Sequence, residues 1–208
     1  MKQDVEKTLP INPWAKALAI ILALVHLVLA GYVIENQLTR NVILGSSECA
    51  HAQFAYEAGQ GLPLYGDFDI HCQPLHYTPL TFQLVGWFSR LWNYDIRAMR
   101  FVIAFFATGC FVLLWSIIRR LSGQSWLAWV GVGLFSGIDV DTHWFVAIDP
   151  NVIHVFFALL AVFLFIRDPD LKWRTVILGT LCLFASYWSK HTGLGYVAAG
   201  VFYLLVRD

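Results

Sequence analysis

Long apolar runs separated by short polar breaks set the pattern of this chain. They extend from Ala15 to Ile34, Phe101 to Ile118, Trp126 to Ile138 with a continuation toward Ile148, Val152 to Ile166, Val176 to Trp188, and Gly193 to Val206. A bilayer core takes about 20 residues of helix, and runs of this kind predict membrane-spanning α-helices. A seventh stretch, Pro79 to Trp92, is shorter and is broken by Gln83, Gly86, Ser89 and Arg90. Tryptophans at 14, 126, 144, 173 and 188 fall near the predicted span ends, where aromatic belts form.

Basic residues arbitrate the topology, because cytoplasmic loops carry the excess of Lys and Arg. If Pro79–Trp92 does not cross, nine basic residues fall inside (Lys2, Lys7, Lys16, Arg119, Arg120, Arg167, Lys172, Arg174, Arg207) and five outside (Arg40, Arg90, Arg97, Arg100, Lys190). If it does cross, the split is seven against seven. Six crossings with both termini inside fit better, which makes Pro79–Trp92 a re-entrant or interfacial helix. The expected fold is an all-α polytopic membrane bundle of about six transmembrane helices, residues 1–208 forming one module. A long first outer loop, about residues 35–95, carries interfacial helices. Loops of that length are uncommon unless functional. The first run is too long for a signal-peptide core and no A-x-A site follows it, so it reads as an uncleaved helix.

Composition agrees. The 208 residues are 58% hydrophobic and 13% charged, with no net charge, against about 25% charged residues in soluble domains. Nothing points to nucleic acid. No Walker loop, GxGxxG, HExxH or GxSxG occurs, which argues against a nucleotide-driven pump or a hydrolase of those kinds.

The six-crossing topology places Glu48, Asp139, Asp141, His143, Asp149, Lys190 and His191 at one face. Glu48 opens an expected helix from Ser47 to Gln60, with Ser46 or Ser47 as its cap. Glu48 shares a helix face with Ala52 and Ala55, and His51 lies one turn on. Its carboxylate can serve chemistry or simply complement the helix dipole. Asp149-Pro150 has the form of a helix cap followed by proline in the first turn. Lys190, Arg97 and Arg100 can snorkel to the interface or hold a phosphate. Cys49 and Cys72 could pair in an oxidising compartment. With His51, His71 and His76 they include zinc-type ligands, but the spacing matches no standard site.

Taken in order, these residues resemble the GT-C glycosyltransferases of the protein-mannosyltransferase and aminoarabinose-transferase type. In that family an acidic residue opens the first outer loop, a short helix leads to a G-x-x-x-Y-x-D-like stretch, and a proline motif follows. Here the series reads Glu48, Gly61, Tyr65, Asp67, then Tyr77-Thr78-Pro79-Leu80. An arginine opening the next span matches Arg97 or Arg100, a second acidic motif matches Ile148-Asp149-Pro150, and a later lysine matches Lys190-His191-Thr192-Gly193. The resemblance implies transfer of a sugar from a polyprenyl-phosphate donor to a glycan, lipid or protein hydroxyl, with inversion. It makes Glu48 the catalytic base and Lys190, Arg97 and Arg100 the donor phosphate ligands. Asp149, Asp67 and Tyr77 would position the acceptor or a cation. The lipid tail would lie along Phe101, Phe105 and Phe106. A divalent cation is possible, although Ser47 and Cys49 stand where the family often has a second acid. The implied location is a bacterial plasma membrane with the active face outward. Family members are usually longer, so the chain is expected to correspond to their N-terminal module. A non-catalytic or truncated scaffold and, less favoured, a transporter subunit are the alternatives.

Overall fold

The computed structural model describes residues 12–40, 46–65, 77–137 and 145–207. Asp67, Asp139, Asp141, His143, His71, Cys72 and His76 lie outside them. The described residues form α-helices without strands: α1 (Pro13–Thr39), α2 (Ser46–Gln60), α3 (Leu80–Ser89), α4 (Ile96–Ser122), α5 (Ser125–Gly137), α6 (Pro150–Arg167), α7 (Trp173–Ser189) and α8 (Leu194–Arg207).

Local chemistry sets several of the helix ends. Asn12 caps α1 by accepting from Trp14 N at 2.9 Å, with Pro13 in the first turn. Asp95 caps α4 by accepting from Arg97 N at 2.8 Å. That helix stops at Gly123, where φ is 67°, a left-handed conformation that glycine adopts without steric cost. Asp149 caps α6 through Asn151 N at 2.8 Å. The capping form of Asp149-Pro150 is therefore present. Ser46 and Ser47, by contrast, both lie inside α2 rather than ahead of it.

Three helices, α1, α4 and α6, are long and apolar enough to cross a membrane. The 27 residues of α1 and of α4 reach about 40 Å at 1.5 Å per residue, beyond a hydrocarbon core of about 30 Å. The outward faces of α1 and α4 are apolar, with Leu18, Ile21, Val28, Phe101 and Phe105 all exposed. Ten-residue α3 reaches only about 15 Å. The expected continuation of α5 toward Ile148 does not hold for residues 145–148, which form turns and bends. That break brings the Ile148 carbonyl within reach of α2.

Arginines tie the helix ends together. Arg120 donates to the carbonyls of Ile166 and Arg167 at 3.2 and 3.0 Å, so the C-terminal ends of α4 and α6 meet. At the opposite end, Arg100 near the start of α4 donates to the carbonyls of Gln37 and Arg40 at the end of α1, at 3.0 and 2.7 Å. These are orphan carbonyls of a helix terminus, and a cation there complements the helix dipole. The start of α6 and the end of α7 lie at this same end, where Thr78 and Thr81 donate to the carbonyls of Tyr187 and Ser189 at 3.0 and 3.4 Å. The main core, with Ile103, Phe106, Ile148, Ile153 and Val85, lies between α4 and α6 and reaches α2 and α3. Short α3 is held on α2 by a close backbone approach: a Cβ on Gly59 would sit 2.8 Å from the Gly86 carbonyl oxygen.

Candidate active site

On α2, the face that carries Glu48, His51 and Ala55 is buried. Alanines and the glycine contact let this helix sit close to its neighbours, and the turn after residue 144 supplies the far wall. Glu48 is 2% exposed and Arg100 is fully buried. They meet side-on, with Arg100 Nε 2.8 Å from Oε1 and Nη2 2.8 Å from Oε2. Such bidentate geometry fixes the carboxylate in position as well as neutralising it.

One turn on, His51 Nδ1 lies 2.7 Å from the Ile148 carbonyl oxygen. A carbonyl only accepts, so Nδ1 carries the proton, and in the neutral ring Nε2 carries the lone pair. The Asp149 carboxylate is 3.9 Å from the same nitrogen and 20% exposed. The His51 ring meets Tyr77 edge-on at 4.9 Å. Lys190 donates to Asn151 Oδ1, and its ammonium stands 5.5 Å from the centre of the Tyr77 ring. Tyr77 itself is held by the Tyr65 hydroxyl, which donates to its carbonyl at 2.6 Å. Burial, and then the Asp149 carboxylate, push the Tyr77 phenol above its ordinary value, so it keeps its proton at neutral pH.

Distant segments thus place His51, Tyr77, Asp149, Asn151 and Lys190 together at the end of the bundle. The expected residues Asp149, Tyr77 and Lys190 belong to this cluster, and Glu48 adjoins it on the same face of α2. Arg100 is committed to Glu48 and the end of α1. Arg97 is about half exposed and bonds its own cap, Asp95, at 2.6 Å. That pairing holds the Asp95 carboxyl below its usual range, chiefly through the Arg97 side-chain hydrogen bond. Arg97, Asp95, Trp92, Ala98 and Phe101 line a separate open pocket of about 420 Å³. Cys49 is exposed, and its possible partner Cys72 is outside the described residues. Among the described residues, no group of three or more His, Cys, Asp or Glu could hold a metal ion.

One member of the cluster, Asn151, escaped sequence reasoning: it carries no motif and looks like an ordinary first-turn residue. His51 was legible as a neighbour of Glu48 at helical spacing and as a zinc-type ligand, but its partner, Ile148, is 97 residues away.

Fold and cluster together define an all-helical protein with membrane-length apolar helices and a polar, mixed-charge site at one end of the bundle. Comparison of the chain with protein-family models, curated proteins and solved structures found no match.

Proposed function

We propose that this chain is a membrane glycosyltransferase that moves a sugar from a polyprenyl-phosphate donor to an acceptor hydroxyl. The observation that carries the reading is the placement of Lys190, Asn151, Asp149 and Tyr77 together beside Glu48 at the end of apolar helices. A lipid-linked donor needs that arrangement: an apolar surface for its tail and a cation at the level of its phosphate.

In the proposed step, Glu48 takes the proton of the acceptor hydroxyl. The acceptor oxygen forms a bond to the anomeric carbon as the bond from that carbon to the phosphate oxygen breaks. The electron pair leaves on the polyprenyl phosphate, and Lys190 stabilises that charge in a poorly solvated site. Attack opposite the leaving group inverts the anomeric centre. Arg100 orients the base, as a third group does in nucleophile–base systems. Asp149 positions the acceptor or a divalent cation. Arg97 remains a candidate for the donor phosphate, and Asp67 a candidate for positioning the acceptor or a cation. The reading carries six crossings with α3 at the interface, an outward-facing site in a bacterial plasma membrane, and a glycan, lipid or protein acceptor.

The test is transfer from polyprenyl-phosphate sugars in vesicles, assayed in the wild type and in Lys190→Met. Loss of about 100-fold or more with the unfolding midpoint unchanged is expected. An unaltered rate would remove Lys190 from the mechanism.

A second reading is a non-catalytic scaffold. The engagement of both Glu48 oxygens by Arg100 favours it, because a buried ion pair can serve only to lock α1, α2 and α4 together. It expects no transfer by the wild type with any donor.

A further inference from the structure

Away from the polar cluster, toward the C-terminal end of α4, one face of that helix carries Thr108, Phe111, Val112, Trp115 and Arg119 at helical spacing. The first four, with Leu27 of α1 and Trp129 of α5, line an apolar cavity of about 430 Å³. It opens on the outward side of the bundle, where Val112 and Trp129 are exposed. The Thr108 hydroxyl is committed to the Ala104 carbonyl at 2.9 Å. Trp115 Nε1 is buried and, among the described residues, makes no hydrogen bond. Buried polar atoms in native proteins almost always have partners, and an exception calls for an explanation. One turn on, the Arg119 guanidinium stands 4.9 Å from the centre of the Trp115 ring. Among the described residues no carboxylate pairs with it.

Cation, N–H donor and apolar cavity thus follow one another along α4. From Arg119 to Thr108 the helix rises about 16 Å, about half of a hydrocarbon core of roughly 30 Å. An anionic glycerophospholipid presents the matching order: phosphate, acyl-ester carbonyl, chain. A polyprenyl phosphate has the charge and the chain but no ester carbonyl for the indole. We infer that this cavity seats one acyl chain of an anionic glycerophospholipid, with its ester carbonyl accepting from Trp115 Nε1 and its phosphate held by Arg119. Trp115 lines the cavity, and seating the lipid includes a tilt of its ring that turns the N–H to the carbonyl. The site is separate from the polar cluster and independent of the proposed transfer.

The experiment titrates the full chain in dodecyl maltoside with dioleoyl phosphatidylglycerol, with its ether-linked analogue, which lacks the carbonyls, and with dioleoyl phosphatidylcholine. Native mass spectrometry measures the lipid-bound fraction. Wild type is expected to bind the ester phosphatidylglycerol about tenfold more tightly than the ether analogue, and more tightly than phosphatidylcholine. Trp115→Phe keeps an aromatic ring beside Arg119 and removes the N–H. It should bring the ester down to the level of the ether analogue, whose own binding stays unchanged. Arg119→Gln should bring phosphatidylglycerol down to phosphatidylcholine while the ester preference remains. Equal binding of ester and ether by the wild type would overturn the inference, and that comparison needs no variant. So would an ester preference that survives Trp115→Phe, or phosphatidylcholine bound as tightly as phosphatidylglycerol.

Discussion

Arg100 grips Glu48 through two parallel hydrogen bonds of 2.8 Å, across 52 residues of sequence, with both side chains buried. The same guanidinium closes the end of α1 through two backbone carbonyls. One side chain therefore joins α1, α2 and α4 and fixes the carboxylate that the proposed chemistry uses.

Removing either partner leaves the other as a buried, uncompensated charge, at a cost of about 3–5 kcal/mol. Arg100→Met should therefore lower stability by that order, and Glu48→Gln by less, because its amide still accepts. The double variant should be more stable than the sum of the single losses predicts. Unfolding midpoints in detergent measure this; strict additivity would mean that the pair does not interact energetically.

Asp149 both caps a helix and contributes charge to the site, and two substitutions separate these roles. Asparagine also caps well, so Asp149→Asn should hold stability to within about 0.5 kcal/mol while lowering transfer. Asp149→Ala should additionally cost about 1 kcal/mol through the lost cap. Full activity of Asp149→Asn would confine the residue to capping.

Packing of α3 on α2 has its own control. Gly86→Ala would drive a methyl into the backbone at Ala55 and Gly59 and should destabilise by about 1–3 kcal/mol or more. Gly31→Ala meets nothing within 4 Å and should be neutral or stabilising by up to about 1 kcal/mol. A comparison of the two thermal midpoints tests the contact.

At the opposite end of the bundle, Asp168 accepts from the Thr175 hydroxyl at 2.6 Å and from Lys172 N at 3.0 Å. These bonds, the hydroxyl first, hold its carboxyl below the ordinary value. The folded chain then binds this proton less readily than the unfolded chain, so the contribution is present above the unfolded value of about 4. It is lost as pH falls through the lower folded value. Asp168→Asn should lower the midpoint at pH 7, and the gap from wild type should close on acidification below about pH 4. A gap independent of pH would place the effect elsewhere.

Much of the helical layout is legible in the chain. The run from Ala15 to Ile34 lies within α1, Phe101–Ile118 within α4, and Val152–Ile166 within α6. Their ends are extended by caps such as Asn12, Asp95 and Asp149, whose short polar side chains bond backbone two residues on. The stretch around Pro79 also reads correctly as too short and too interrupted for a long helix. The misread segment is the one beyond Ile138, where apolar composition alone suggested a longer helix and the backbone instead turns at residues 145–148. An apolar turn packed in a core, as Phe145, Val146 and Ile148 are, has the composition of a span but not its backbone.

The polar cluster divides along the same line. Composition and periodicity establish helices and apolar surfaces, because burial and helix capping act over a few neighbouring residues. They also mark Glu48, Asp149, Tyr77 and Lys190 as polar residues at helix ends and in loops. Which of these meet is a matter of helix packing over tens of residues, and no local signal records it. Packing sends Arg100 to Glu48 and leaves Arg97 on its own cap, although both arginines lie on the first turns of α4. They are three residues apart; Arg100, one turn further along, is fully buried against Glu48 and the end of α1, whereas Arg97 at the helix start is about half exposed and stays on Asp95.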